Sequence, residues 1–131
     1  MNRVKRLIAS IVVVVILLCS LSSCLPFFYH EKTLELELSG EVSMRYVYNQ
    51  EFECYDVYLE GIAENATDKD MVSCGVSFTL YDNNGNVIGT ADDYLNDLKS
   101  GAKWRFSATG SMGYEPASFE LNELYGYEND N

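Results

Sequence analysis

From Thr33 onward, apolar and polar residues alternate in short runs. Leu34, Leu36 and Leu38 fall on one side and Glu35 and Glu37 on the other, the two-residue period of a strand with one solvated face. Leucine and glutamate favour helix intrinsically, yet helical spacing would scatter the three leucines around the cylinder, so the period decides for strand. Gly40 ends it. Residues 42–49 form a second predicted strand, with Val42, Met44, Tyr46 and Tyr48 facing one way. Residues 51–64 form a third, in which Tyr55, Val57, Leu59, Gly61 and Ala63 alternate with Cys54, Asp56, Tyr58, Glu60 and Ile62. Residues 65–70 are a polar turn.

Residues 71–81 give the clearest strand, with Val72, Cys74, Val76, Phe78 and Leu80 inward and Ser73, Gly75, Ser77 and Thr79 outward. The string Asp82-Asn83-Asn84-Gly85-Asn86 then supplies side chains that bond their own backbone and a residue free to adopt positive φ, which is hairpin chemistry. Residues 87–91 return as a short strand, and 92–103 read as a loop with Leu98 as an apolar plug and Ser100-Gly101 as a turn. Trp104, Phe106 and Ala108 alternate in another strand, and residues 118–124 give the last, using Phe119 and Leu121. Seven or eight short strands about ten residues apart, without helix or repeat, predict an all-β fold: an antiparallel immunoglobulin-like β-sandwich over residues 33–125, with an acidic tail at 126–131.

The N-terminal residues have a different character. Arg3, Lys5 and Arg6 precede an apolar run from Leu7 to Leu18, interrupted only by Ser10, the layout of an export signal. The run ends at Leu21-Ser22-Ser23-Cys24, which resembles the lipobox of prokaryotic lipoproteins. That resemblance implies cleavage after Ser23, removal of residues 1–23 as a signal peptide, lipidation of Cys24, and a tether over 24–32. The alternative is an uncleaved membrane helix, because the 22 residues from Leu7 to Phe28 carry no charge. Either way the basic end stays in the cytoplasm and everything after Cys24 lies outside it, held at the cell membrane.

Charge sharpens this picture. The chain of 131 residues has 9 basic and 20 acidic residues. Cleavage would remove three basic and no acidic residues, leaving 6 against 20, a formal net charge of −14. Such a domain lacks the basic footprint that binding a phosphate backbone requires, so nucleic acid is excluded as a partner. It is also repelled by anionic headgroups and stands off the surface on its tether.

A second resemblance rests on Phe78-Thr79-Leu80-Tyr81-Asp82 followed by Gly85, which is similar to the signature of the FxLYD domain family of exported and lipid-anchored prokaryotic proteins. Gly61 and Asn65 match that family's strand end, and Leu98, Gly101 and Phe106 match its loop plug, turn glycine and following strand. The similarity covers about residues 45–122 and implies an immunoglobulin-like sandwich, without a general activity or ligand. Ser100 departs from the proline common there, which implies a looser turn. The residues themselves account for this motif structurally: Phe78 and Leu80 point inward, Tyr81 lies on the opposite face, and Asp82 caps the hairpin that Gly85 closes.

Little of the remaining chemistry points to catalysis. His30, the one histidine, sits in the tether, so no Ser-His-Asp or Cys-His arrangement is available and no cofactor is implied. Acidic pairs such as Asp92-Asp93 and Glu35/Glu37 read as solvated faces in so acidic a chain. The Asp82–Asn86 string differs from an EF-hand loop, with glycine fourth instead of sixth and no closing glutamate, so no metal is assigned. Cys54 and Cys74 invite a disulfide outside the cytoplasm. If the strands around 65–70 pair as a hairpin, the two thiols lie about 23 Å apart at strand rise. A bulge, or placement in different sheets, would bring them together. Asn65-Ala66-Thr67 is formally a glycosylation sequon, but it more simply ends a strand. Tyr46, Tyr48, Tyr58, Tyr81, Tyr94, Tyr125 and Tyr127 are candidates for exposure, and exposed tyrosine suits contact with sugar or protein. The expectation is a non-enzymatic, lipid-anchored surface module, binding an envelope protein or polysaccharide or serving envelope architecture. The alternative is an accessory subunit docking through an edge strand.

Overall fold

The computed structural model describes residues 33–128. The signal segment, Cys24, the tether and residues 129–131 lie outside that range. The described chain is all-β. Its eight strands are β1 (Thr33–Leu34), β2 (Glu37–Leu38), β3 (Ser43–Asn49), β4 (Cys54–Glu64), β5 (Met71–Tyr81), β6 (Val87–Leu98), β7 (Lys103–Met112) and β8 (Ser118–Glu128). They form one antiparallel, nearly closed sheet in the order β1-β8-β5-β6-β7-β4-β2, with β3 pairing β4 off that path. Closure comes from the first few residues. Thr33 and Leu34 pair with Tyr127 and Gly126 of β8, while Glu37 and Leu38 pair with Glu64 and Ala63 of β4. One short segment thus joins both ends of the strand order, and Leu36 between its two halves is buried. The alternation of Leu34, Leu36 and Leu38 is present as predicted, but in two short strands instead of one.

The core lies inside the rolled sheet. Val57, Leu59 and Ala63 of β4, Val76, Phe78 and Leu80 of β5, and Trp104, Phe106 and Ala108 of β7 are all buried, as their period-two spacing predicts. Phe78 centres an aromatic string, with ring centroids 5.9 Å from Phe106 and 5.8 Å from Phe119, while Trp104 stands 5.8 Å from Phe106. Gly61 lies opposite Phe106 in the β4–β7 ladder, where a Cβ would come within 2.6 Å of the Phe106 ring.

Several expectations need correction. The connection 65–70 is a crossover, not a hairpin turn: β4 pairs β7 and β3, whereas β5 pairs β6 and β8. Residues 92–98, expected as loop, continue β6, because the backbone ladder with β5 from Val76↔Asp93 to Met71↔Leu98 needs no apolar side chain. Val72 is exposed and Met71 is buried in its stead, since a register shift between Met71 and Ser73 reverses the phase at the start of β5. Leu121 pairs with Phe78 but remains 39% exposed, because β1 covers β8 only at Gly126 and Tyr127. The last strand also runs on to Glu128, through positions expected as tail.

Strand direction gives the fold two poles. At one lie the crossover 65–70, the turn 99–102, the end of β8 and the start of the described chain at Thr33. At the other lie the β3–β4 turn, the β5–β6 hairpin and the β7–β8 loop. The ten steps of β4 separate them by roughly 33 Å at strand rise.

Candidate functional site

The pole opposite Thr33 holds the site. Met44 and Tyr46 face the interior from β3, paired with Leu59 and Val57. Met44 packs on the core, but Tyr46 and Tyr48, one and two steps of the period further on, are 39% and 49% exposed because the interior opens there. Their rings meet Tyr55 of β4 at 6.0 Å and 72° for Tyr46, and at 5.0 Å and 60° for Tyr48. Across from them stands the loop Gly113-Tyr114-Glu115-Pro116-Ala117, secured by the buried Pro116 and by the Ala117 N–H, which donates to the Tyr81 carbonyl at 2.8 Å. Between them lies a cleft of about 440 Å³ lined by Met44, Tyr46, Tyr114, Glu115 and the Asp82–Asn84 hairpin.

Tyr46 closes one side of this cleft by donating its hydroxyl to Glu115 Oε1 at 2.8 Å. That bond to a carboxylate raises the Tyr46 pKa above its ordinary value and keeps the phenol protonated. Asp82 is occupied by its own turn. Its Oδ1 accepts from the N–H groups of Asn84 and Asn86, each at 2.9 Å, and its Oδ2 from the Asn86 amide at 3.0 Å. These bonds, the Asn86 side chain first, lower the Asp82 pKa. Gly85 completes the turn with φ of +79°. A groove of comparable size elsewhere is floored by Gly61 and Phe106 and contains no tyrosine.

Seven of the ten motif residues singled out in the sequence form two packing clusters away from the cleft, while Tyr81, Asp82 and Gly85 lie at the β5–β6 hairpin. Gly61, Phe78, Leu80 and Phe106 meet in the core. Asn65, Leu98 and Gly101 meet at the entry pole. There Asn65 is buried, its Nδ2 donating to the carbonyls of Lys69 and Leu98, and its Oδ1 accepting from the Thr67 N–H and hydroxyl. With Nδ2 so used, the sequon has no accessible amide. Tyr81 reaches sideways to donate to Glu120 Oε2 at 3.1 Å. Ser100 tightens the turn it was expected to loosen: its N–H donates to Asp70 Oδ1 at 2.9 Å and its hydroxyl to the Thr67 carbonyl, neither of which bonds proline could make.

Cys54 and Cys74 are free thiols. Cys54 opens β4 at the cleft pole, whereas Cys74 lies towards the other pole between Leu95 and Gly126, on a strand that does not pair with β4. Among the acidic pairs, Asp93 accepts from the Ser107 N–H at 2.9 Å and Asp92 from the Thr90 hydroxyl at 3.2 Å. Glu35 and Glu37 are exposed. Among the described residues no group of three or more His, Cys, Asp or Glu side chains is disposed to hold a metal ion. Tyr46, Tyr48 and Tyr94 are exposed as expected, and Tyr58, Tyr81, Tyr125 and Tyr127 are half-buried. Sequence reasoning missed Tyr114, 69% exposed, and Glu115. The signal available was an aromatic and an acid lodged in a Gly-to-Pro loop, where no packing role calls for the aromatic.

Comparison with known proteins adds one relative. A stretch of 59 residues is 34% identical to an uncharacterised protein of Methanocaldococcus jannaschii, covering 45% of this chain and 44% of that one. The chain therefore spans less than half the length of the curated relative it matches. No family model matches the chain, and no solved structure matches it.

Proposed function

We propose that the chain is a non-enzymatic surface lipoprotein of the FxLYD kind, anchored through Cys24 and binding its ligand at the tyrosine cleft. The observation that carries this reading is the position of the cleft at the pole opposite Thr33. A chain tethered ahead of Thr33 would present that pole outward, about 33 Å from its point of attachment at strand rise. The lipobox-like Leu21-Ser22-Ser23-Cys24 and the acidic exported part support the anchor. The single histidine, in the tether, supports a binding role over catalysis. Labelling cells with a radioactive fatty acid tests the anchor. The protein takes up label, and Cys24→Ala abolishes uptake; an unlabelled chain retaining Met1 would overturn the reading.

A second reading, an accessory subunit of an envelope complex, is favoured by β3. Among the described residues that strand pairs only with β4, which leaves its outer edge from Ser43 to Asn49 open to another strand, with Val47 57% exposed on it. A photocrosslinking residue at position 47 distinguishes the two. One stoichiometric envelope partner supports the subunit, and no crosslink there leaves the cleft as the working surface.

A further inference from the structure

We infer that the tyrosine cleft recognises an organic ammonium group; this rests on the binding-module reading above. The sheet already contains one version of the interaction. On the opposite face of β3, the Arg45 guanidinium sits 3.9 Å over the Tyr58 ring, with Glu60 Oε1 3.9 Å from its Nη2. A tyrosine face and a glutamate thus hold a cation supplied by the chain itself. One residue along, Tyr46 donates its hydroxyl to Glu115 Oε1 at 2.8 Å, which places a phenol ring and a carboxylate together at the cleft, and among the described residues no lysine or arginine reaches Glu115. A ring and a carboxylate so placed suit a cation supplied from outside the chain.

Two further observations select an ammonium over other ligands. The cleft lining includes Glu115 and Asp82 and no basic residue, in a chain with a net charge of −11, so phosphates and uronic acids are repelled. Tyr46 and Tyr114 both line the cleft beside Glu115, so two exposed phenol rings and a carboxylate share one pocket. A compact cation draws on the ring faces and the carboxylate together, whereas a neutral sugar offers the carboxylate no opposite charge. Glu115 completes the site: Tyr46 fixes its Oε1, and its second oxygen has no partner among the described residues and serves the incoming charge.

The test is a titration of the full-length lipoprotein in nanodiscs, followed by tyrosine ring NMR signals. The probes are choline, Nα-acetyl-lysinamide, the neutral choline isostere 3,3-dimethylbutanol, and chitobiose. Choline or the lysine derivative saturates shifts at Tyr46 and Tyr114, and whichever binds tighter identifies a quaternary amine or a lysine side chain as the natural group. The isostere binds at least about 10-fold more weakly, a difference of about 1.4 kcal/mol. Glu115→Gln, an exposed and isosteric change, lowers cation affinity by a similar factor. Equal binding of the isostere, or no effect of Glu115→Gln, overturns the inference. If chitobiose alone saturates those signals, the ammonium inference fails and the binding-module reading stands. If no probe moves Tyr46 or Tyr114, the cleft fails as the binding site and both are lost.

Discussion

The side-chain amide of Asn65 donates a 3.1 Å hydrogen bond to the carbonyl of Leu98, tying together the two connections at the entry pole. The same side chain bonds Lys69 and Thr67, its own N–H donates to the Ala102 carbonyl at 3.0 Å, and its carbonyl accepts from the Gly101 N–H at 2.7 Å. A fully buried amide with every group satisfied holds the crossover and the 99–102 turn as one unit.

Replacing Asn65 by alanine leaves the Lys69 and Leu98 carbonyls without their donor. Asn65→Ala therefore lowers unfolding free energy by about 2–4 kcal/mol, the sum expected of several hydrogen bonds lost at a buried site. A urea melt measures it, and an unchanged midpoint would show the amide to be dispensable.

Gly61 meets a ring. Because a Cβ there stands 2.6 Å from Phe106 Cζ, Gly61→Ala forces that ring aside and costs about 1–3 kcal/mol. The double variant Gly61→Ala/Phe106→Leu recovers part of the loss if the clash is the cause, and thermal denaturation of the four-member cycle reads out the coupling.

The two thiols differ in reactivity. Burial pushes the Cys74 thiol up to about 11, and it is 1% exposed, whereas Cys54 is half-buried at the mouth of β4. Iodoacetamide at pH 8 therefore modifies Cys54 in the folded protein and reaches Cys74 only after denaturation. Peptide mass mapping checks the order, and a Cys54–Cys74 peptide in the unreduced sample would contradict the geometry.

Acid weakens the turns. The Ser100 N–H, then the Lys99 ammonium, lower the Asp70 pKa, and the Asn86 and Asn84 bonds lower that of Asp82. A carboxyl whose pKa is lower folded than unfolded contributes its full stability above the unfolded value, about 3.9, and loses it as pH falls through the folded value. Stability is thus level in these two groups from pH 7 to about pH 5 and declines below about pH 4. Asp70→Asn flattens part of that acid limb, which denaturant melts across the range will show.

What the sequence made legible follows from what a period can encode. Alternation in 34–38, 55–63 and 104–108 sorted side chains into core and solvent because each run meets the interior on one face. A period does not name the neighbouring strand, so the β4–β5 connection read as a hairpin although it crosses the fold. Nor does it register an inserted residue, so Val72 and Met71 exchanged roles at the shift in β5. Asp92, Asp93, Asn96 and Asp97 looked like loop because a half-exposed strand joined through its backbone makes no demand on side-chain type. The cleft was legible only in fragments. Tyr46 stood out as exposable, but its partner Glu115 lies 69 residues away and only the closed sheet brings them together.

The segment that joins both ends of the strand order also decides how the fold bears tension. A pull on the chain ahead of Thr33, resisted at the far pole, draws β1 along its own axis past β8 and stretches the Thr33↔Tyr127 and Leu34↔Gly126 rungs together in shear. Beyond them Glu37 and Leu38 grip β4 in the same geometry, so the strain divides between two flanks of the sheet. A domain fastened this way withstands a pull on its first strand better than one whose first strand could peel away rung by rung.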